Sequence, residues 1–276
     1  MKSIAPFTLL ALVLAIAPAF AQSGTRLEHH AMPEFLAGDL DGLAVGPVGE
    51  LVPAPVGLKR FFTPSLYIWS LGVDREGRLV AGLGDDGGVV RLEGDEMVEL
   101  ASFPGELVLD VADSEDGLLA ATGPQGRVYR IEGEETRVVL ERDEASAWAL
   151  VESARDGWLA GFGPEAALVR FDPAGSGAGE LVAAYEASVV RKLLRDEAGL
   201  WLATQGPSLI YQSSKDPDHP DRLRHDAGAN EIPAVVSDGN GGLWFVVLNP
   251  GDPDQFESPS SQLLHLPATG SAEVVW

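Results

Sequence analysis

The chain has 276 residues, 32 of them Gly and 19 Pro, with 45% apolar residues and no cysteine. This turn-rich composition has ample apolar material for one large β domain, and it excludes disulfides, thiol nucleophiles, Cys-ligated zinc and a lipid anchor on cysteine. A formal net charge of -23 argues against nucleic acid and anionic lipid surfaces as partners; its ordinary role is solvation.

Residues 1–21 read as a signal peptide. Lys2 supplies the positive start, Phe7–Ala17 a short apolar core, and Ala19-Phe20-Ala21 the small residues of a cleavage site before Gln22. The apolar run is short for a membrane span, and no other run approaches ~20 residues. The mature protein is therefore expected to be periplasmic or secreted, with no membrane insertion after cleavage. Residues 22–34 form a polar, disordered linker carrying His29-His30, two adjacent histidines that make a weak metal site on their own. From residue 35 to 276 the pattern is all β. Residues 35–62 look like a partial blade: Val45–Leu51 repeats the V-x-x-x-G-x-L of Val73–Leu79, and Leu58–Thr63 holds the place of an outermost strand.

A repeat then dominates. Turn glycines stand at Gly77, Gly117, Gly157, Gly199 and Gly241, spaced 40, 40, 42 and 42 residues apart. A fixed period near forty is the mark of an array. Behind each glycine, apolar residues alternate with period two, which is strand periodicity. Third strands are predicted at Val89–Leu92, Val128–Ile131, Leu168–Phe171 and Leu209–Tyr211, and fourth strands at Met97–Leu100, Val138–Leu140 and Leu181–Ala184. Four strands in about forty residues make one blade of a β-propeller. Five blades are expected at roughly 65–103, 105–142, 146–186, 188–225 and 230–276. Aligned on the glycines, Leu79, Leu119, Leu159, Trp201 and Leu243 share one register and are all expected between blades. Strand counting puts Tyr67, Asp110, Asn230 and the Asn249–Ser261 connection at one end, and the Ser213–Asp221 connection at the other. Five blades and a fragment read as an incomplete propeller, which would expose the first strand of blade one and the apolar face of blade five.

Tyr67–Gly84 (YIWSLGVDREGRLVAGLG) and Gly123–Ile131 (GPQGRVYRI) resemble the repeats of bacterial exported WD-repeat-like β-propellers of unassigned role. Phe35–Val45 resembles the lead-in of that group. Asp196–Thr204 and Asp238–Trp244 are similar to the ligand-sensing propeller repeats of hybrid two-component regulators. The G-H…W-D pattern of true WD repeats is missing. The resemblance implies the propeller fold and leaves the role open.

Motifs for chemistry are sparse. Gly82, Gly84 and Gly87 match G-x-G-x-x-G, but a strand rather than a helix follows, so the motif reads as a turn. Asp238-Gly-Asn240 opens like a calcium loop without its closing Glu. Asp216, Asp218, His219 and Asp221 read as a solvated acidic loop before they read as metal ligands. No catalytic residue, metal site or cofactor is assigned. The set with most promise lies where first strands begin, on the funnel face: Tyr67, Trp69, Asp110, Trp148, Arg191, Lys192, Asn230 and Glu231, joined by Asp85, Asp86, Gln125 and Glu165 from the second-to-third-strand loops. Aromatics with mixed charge suit a polar ligand or a protein segment; the structural alternative for Trp69 and Trp148 is inter-blade core. The expected function is a non-enzymatic scaffold binding a protein or small polar ligand. The alternative is a lactonase-like propeller hydrolase with metal or acids at the axis, against which Arg191 and Lys192 weigh.

Overall fold

A computed structural model describes residues 43–45, 51–53, 65–84, 86–94, 96–153, 157–213, 221–228, 230–251 and 260–276. The chain divides into two compact units, Met1–Lys59 and Arg60–Trp276. In the first, β1 (Leu43–Val45) pairs antiparallel with β2 (Leu51–Pro53), Leu43 opposite Pro53. The leader, the linker and the Leu58–Thr63 strand lie outside the described residues.

The second unit is five four-stranded antiparallel sheets, each a meander with its first strand innermost. Blade one is β3 (Ile68–Val73), β4 (Leu79–Leu83), β5 (Gly88–Glu93) and β6 (Glu96–Ser102). Blade two is β7 (Leu107–Ser114), β8 (Gly117–Gly123), β9 (Arg127–Glu132) and β10 (Glu135–Glu141). Blade three is β11 (Ser146–Ser153), β12 (Gly157–Gly163), β13 (Ala167–Phe171) and β14 (Glu180–Ala184). Blade four is β15 (Val189–Asp196), β16 (Gly199–Gln205), β17 (Leu209–Gln212) and β18 (Arg222–Asp226). Blade five is β19 (Glu231–Ser237), β20 (Leu243–Asn249), β21 (Ser260–Leu266) and β22 (Glu273–Val274). First strands touch in succession, β3 on β7, β7 on β11, β11 on β15 and β15 on β19. The fold is a β-propeller, with no helix among the described residues.

The turns explain the recurring aspartate. Asp74 accepts from the amides of Glu76 and Arg78, at 3.1 and 2.8 Å. Asp196 does the same for Ala198 and Gly199, at 2.8 and 3.2 Å. Asp238 does it for Asn240 and Gly242, at 2.7 and 2.8 Å. Each carboxylate closes the turn that carries it, a local bond that outcompetes the strand ladder. The G-x-G-x-x-G stretch is a turn: Gly87 has φ +44° and β5 follows at once.

The buried clusters sit between successive blades. Val80 and Val89 meet Val108, Leu118 and Ala120 between blades one and two. Leu119, Ala121 and Leu140 meet Leu150, Ala160 and Phe162 between two and three. Leu159 and Leu168 meet Val190 and Leu202 between three and four. Trp201 and Ile210 meet Leu243, Phe245 and Leu264 between four and five. Successive blades approach so closely that a Cβ on Gly161 of β12 would lie 2.5 Å from Val190 Cγ1 of β15. No buried cluster among the described residues joins blade five to blade one. Leu71 (62% exposed), Val73 (60%) and Leu79 (39%) line the free face of blade one, and Val236 (57%) that of blade five.

Leu79 corrects the expected register. Leu119, Leu159, Trp201 and Leu243 are buried as expected, but Leu79 is not. In blade one Val73 pairs with Leu79, so five residues make the turn; in blade two Ser114 pairs with Gly117, so two residues do. Leu79 is therefore the counterpart of Leu118, and both face the preceding blade. Leu118 has blade one there and is 8% exposed. Leu243, behind a five-residue turn, likewise faces back, onto blade four.

Candidate functional site

Each inner strand carries one extra residue at the same register. Trp69 is the extra residue between the pairs Ile68–Leu83 and Ser70–Gly82. Leu109, Trp148 and Arg191 take that place in blades two, three and four. In blade five Ile232 and Pro233 stand opposite one residue of β20. Such bulges leave a residue out of the ladder and re-aim its side chain. They lie near the start of first strands, and so gather side chains from different blades at one end of the propeller.

Four charged residues and one aromatic come together there. The Arg191 guanidinium lies 4.5 Å from the centre of the Trp148 ring, a cation–π stack between blades four and three. Asp110 of blade two accepts hydrogen bonds from the amides of Val111 (3.0 Å) and, across the blade boundary, Leu150 (2.8 Å). Burial pushes the Asp110 carboxyl up to about 6, opposed by the charge of Lys192, by the two amides and by Arg191. Burial likewise lowers Lys192, with Asp110 acting the other way and Arg191 adding to the shift. Arg191 is lowered by burial too, opposed by Glu231 and Asp110. Blades two, four and five thus contribute charges that feel one another. Trp148 is half-buried and lies beneath a cation, so it is neither wholly core nor wholly rim.

The other named residues lie at first-strand starts and in second-to-third-strand turns. Tyr67 is exposed ahead of β3, its carbonyl accepting from the Gly84 amide at 3.0 Å. The Trp69 indole covers Gly84, where a Cβ would meet Nε1 at 2.6 Å. Glu165 is exposed in the β12–β13 turn with φ 67°, and Glu231 opens β19 beside Asn230. Asp86 and Gln125 belong to the same series of turns. Asp85 and most of the Asn249–Ser261 connection lie outside the described residues, as does most of Ser213–Asp221. Antiparallel counting sets Tyr67, Asn230 and Asn249 at one end and Ser213 and Asp221 at the other, as expected.

That opposite end has another character. Between blades one and two a groove of about 740 Å³ is lined by Asp74, Arg75, Arg78, Arg91, Asp113 and Glu134 among others. Its arginines are already paired: Arg78 with Asp74 at 2.8 Å and Glu76 at 2.7 Å, Arg75 with Asp113 at 3.1 Å, Arg91 with Glu93. Asp238, read for a calcium loop, holds His265 Nε2 at 2.8 Å besides its own turn. Asp221 accepts from the Tyr185 hydroxyl at 2.5 Å, and burial raises that phenol above its usual range. Among the described residues no three His, Asp or Glu are grouped to hold a metal ion, and no helix is long and apolar enough to cross a membrane.

Similar folds occur among solved structures. The β-propeller domain of Cps50 (Swd1) from Myceliophteria thermophila matches 75% of this chain over 72% of its own, at 16% identity and a TM-score of 0.52. The extracellular domain of the putative hybrid two-component system BT3049 from B. thetaiotaomicron matches 79% of this chain, at 16% identity and a TM-score of 0.53. This chain spans 29% of that one. At such identities the likeness concerns the fold alone. No family model and no curated protein matches the sequence.

Proposed function

We propose that this chain is an exported, non-enzymatic scaffold that binds a protein or a small polar ligand at the propeller end where the inner strands begin. The observation that carries this reading is the Arg191–Trp148 stack beside Asp110, Lys192 and Glu231. Partly buried aromatic and charged groups, drawn from separate blades, are the usual anchors of a recognition surface. The paired arginines of the opposite end offer less to a ligand, because a newcomer must first break existing salt bridges. Export is supported by the leader at residues 1–21 and, at the level of fold, by the extracellular propeller of the two-component protein. The lactonase-like alternative gains nothing from Asp110, whose oxygens are committed to backbone amides.

The test is selection of binders from a random peptide display library on the purified protein. Selected peptides are expected to lose binding to Trp148→Ala and keep it for Glu134→Ala, at the opposite end. Peptides that bind both variants alike overturn the reading. For export, mass spectrometry of protein recovered from the periplasm or medium is expected to find Gln22 first; a retained Met1 contradicts it.

A further inference from the structure

Arg191 and Lys192 stand next to each other at the bulge of β15, both half-buried. On this acidic protein six of the twelve arginines among the described residues meet a carboxylate: Arg75, Arg78, Arg91, Arg127, Arg130 and Arg170. Arg191 and Lys192 differ. Among the described residues neither makes a hydrogen bond or an ion pair; Arg191 has the Trp148 ring and the more distant charges of Glu231 and Asp110, and Lys192 the more distant charge of Asp110. A half-buried cation without a hydrogen-bond acceptor recovers only part of its lost hydration. Burial disfavours the charge on both, and an incoming anion would restore it.

The neighbouring acids limit what that anion can be. Asp110 is held by two amides and Glu231 is exposed on β19. Two cations and two acids leave the cluster close to neutral, so a group with a single negative charge suits it better than a dianion. The Trp148 ring lies against the Arg191 guanidinium; a guanidinium offers an N–H fork suited to a bidentate oxyanion contact, and Lys192 adds a point charge beside it. We infer that Arg191 and Lys192 form a carboxylate-recognition site at the axial end of the propeller, with Trp148 as the positioning residue. The site names the ligand chemistry within the binding reading above and rests on it: the bound protein segment or small molecule presents a free carboxylate.

The experiment titrates N-acetylglycine, a carboxylate next to one amide, into the full ¹⁵N-labelled protein and follows the arginine Nε–H and tryptophan indole signals by NMR. N-acetylglycinamide serves as the neutral control and inorganic phosphate as the dianionic one. The expected result is saturable movement of the Arg191 and Trp148 signals with N-acetylglycine, none with the amide, and weaker binding of phosphate. Affinity is expected to fall at least about tenfold in Arg191→Gln and in Lys192→Gln, the loss expected for a charge-assisted contact. The Trp201 indole signal, in the core between blades four and five, reports that each variant is folded. Equal response to acid and amide, tighter phosphate binding, or unchanged affinity in both folded variants overturns the inference. Selected peptides that depend on Trp148 but bind equally as C-terminal acid and amide would overturn it while leaving the broader binding reading intact.

Discussion

Blades one and three are built from the same repeat and meet different fates. Blade three is packed on both sides: Trp158 and Phe162 face blade two, and Leu159 and Leu168 face blade four. Blade one has the same alternation, yet Leu71, Val73 and Leu79 stand exposed on its free side while Val80 and Val89 are buried against blade two. The local sequence decides that a strand forms and which residues share a face. Whether a face becomes core is decided by the presence of the next blade. Apolar periodicity therefore reports an appetite for burial, and the neighbour supplies the energy.

The comparison can be broken most severely at the covered faces. Trp201, fully buried between blades four and five, donates its indole N–H to Asp196 at 3.2 Å. Trp201→Ala is expected to cost about 3–5 kcal/mol, visible in denaturant unfolding; a loss below about 1 kcal/mol would contradict its placement. Leu119→Ala, between blades two and three, should cost about 2–5 kcal/mol in the same measurement.

A smaller effect concerns Asp110, whose counterpart in blade one is Ser70. Its carboxyl is raised from the ordinary 3.8 to about 6 in the folded chain. The folded state therefore holds the proton more tightly than the unfolded one. The stability this gives is fully present below pH 3.8 and is lost as pH rises through about 6. Melting temperatures of the wild type, set against Asp110→Asn, should fall across that window; a flat difference would remove Asp110 as its cause. The smallest effect sharpens the contrast directly. Leu79→Ala should change stability by less than about 1 kcal/mol, as expected for a half-exposed side chain, while Leu118→Ala, at the equivalent position under a neighbouring blade, should lose about 2 kcal/mol or more. Equal losses would mean that the free face of blade one is covered in solution.

Much of this was legible in the sequence. The turn glycines with their aspartates predict each hairpin, and the period of about forty predicts five blades. The register of blade one was not legible. Glycine serves both turns, at φ +79° inside the five-residue turn of Gly77 and at φ +127° as the first residue of β8 for Gly117. Aligning the two glycines sets different turn positions together and shifts Leu79 by one place, which turns it to the other face. The candidate cluster was legible in part. Asp110, Trp148, Arg191, Lys192 and Glu231 were all placed at the start of inner strands by alignment alone. Their mutual contacts were not, because these depend on a bulge that adds one residue without any signature in composition. The amide of Leu150 reaching Asp110 across a blade boundary likewise belongs to tertiary packing, which no local pattern records.

The bulge repeated in every inner strand has a consequence for how such a protein changes over generations. A residue pushed out of the ladder is excused from strand pairing, and three of those displayed, Trp69, Trp148 and Arg191, are also excused from full burial. Substitution there spares the cores between blades that keep the protein folded. The axial end thus behaves like the tumblers of a lock, carried on separate blades, with Trp148 and Arg191 turning as a stacked pair. New combinations of side chains can be tried in descendants without loss of the fold, and what the propeller recognises can drift while the propeller itself stays the same.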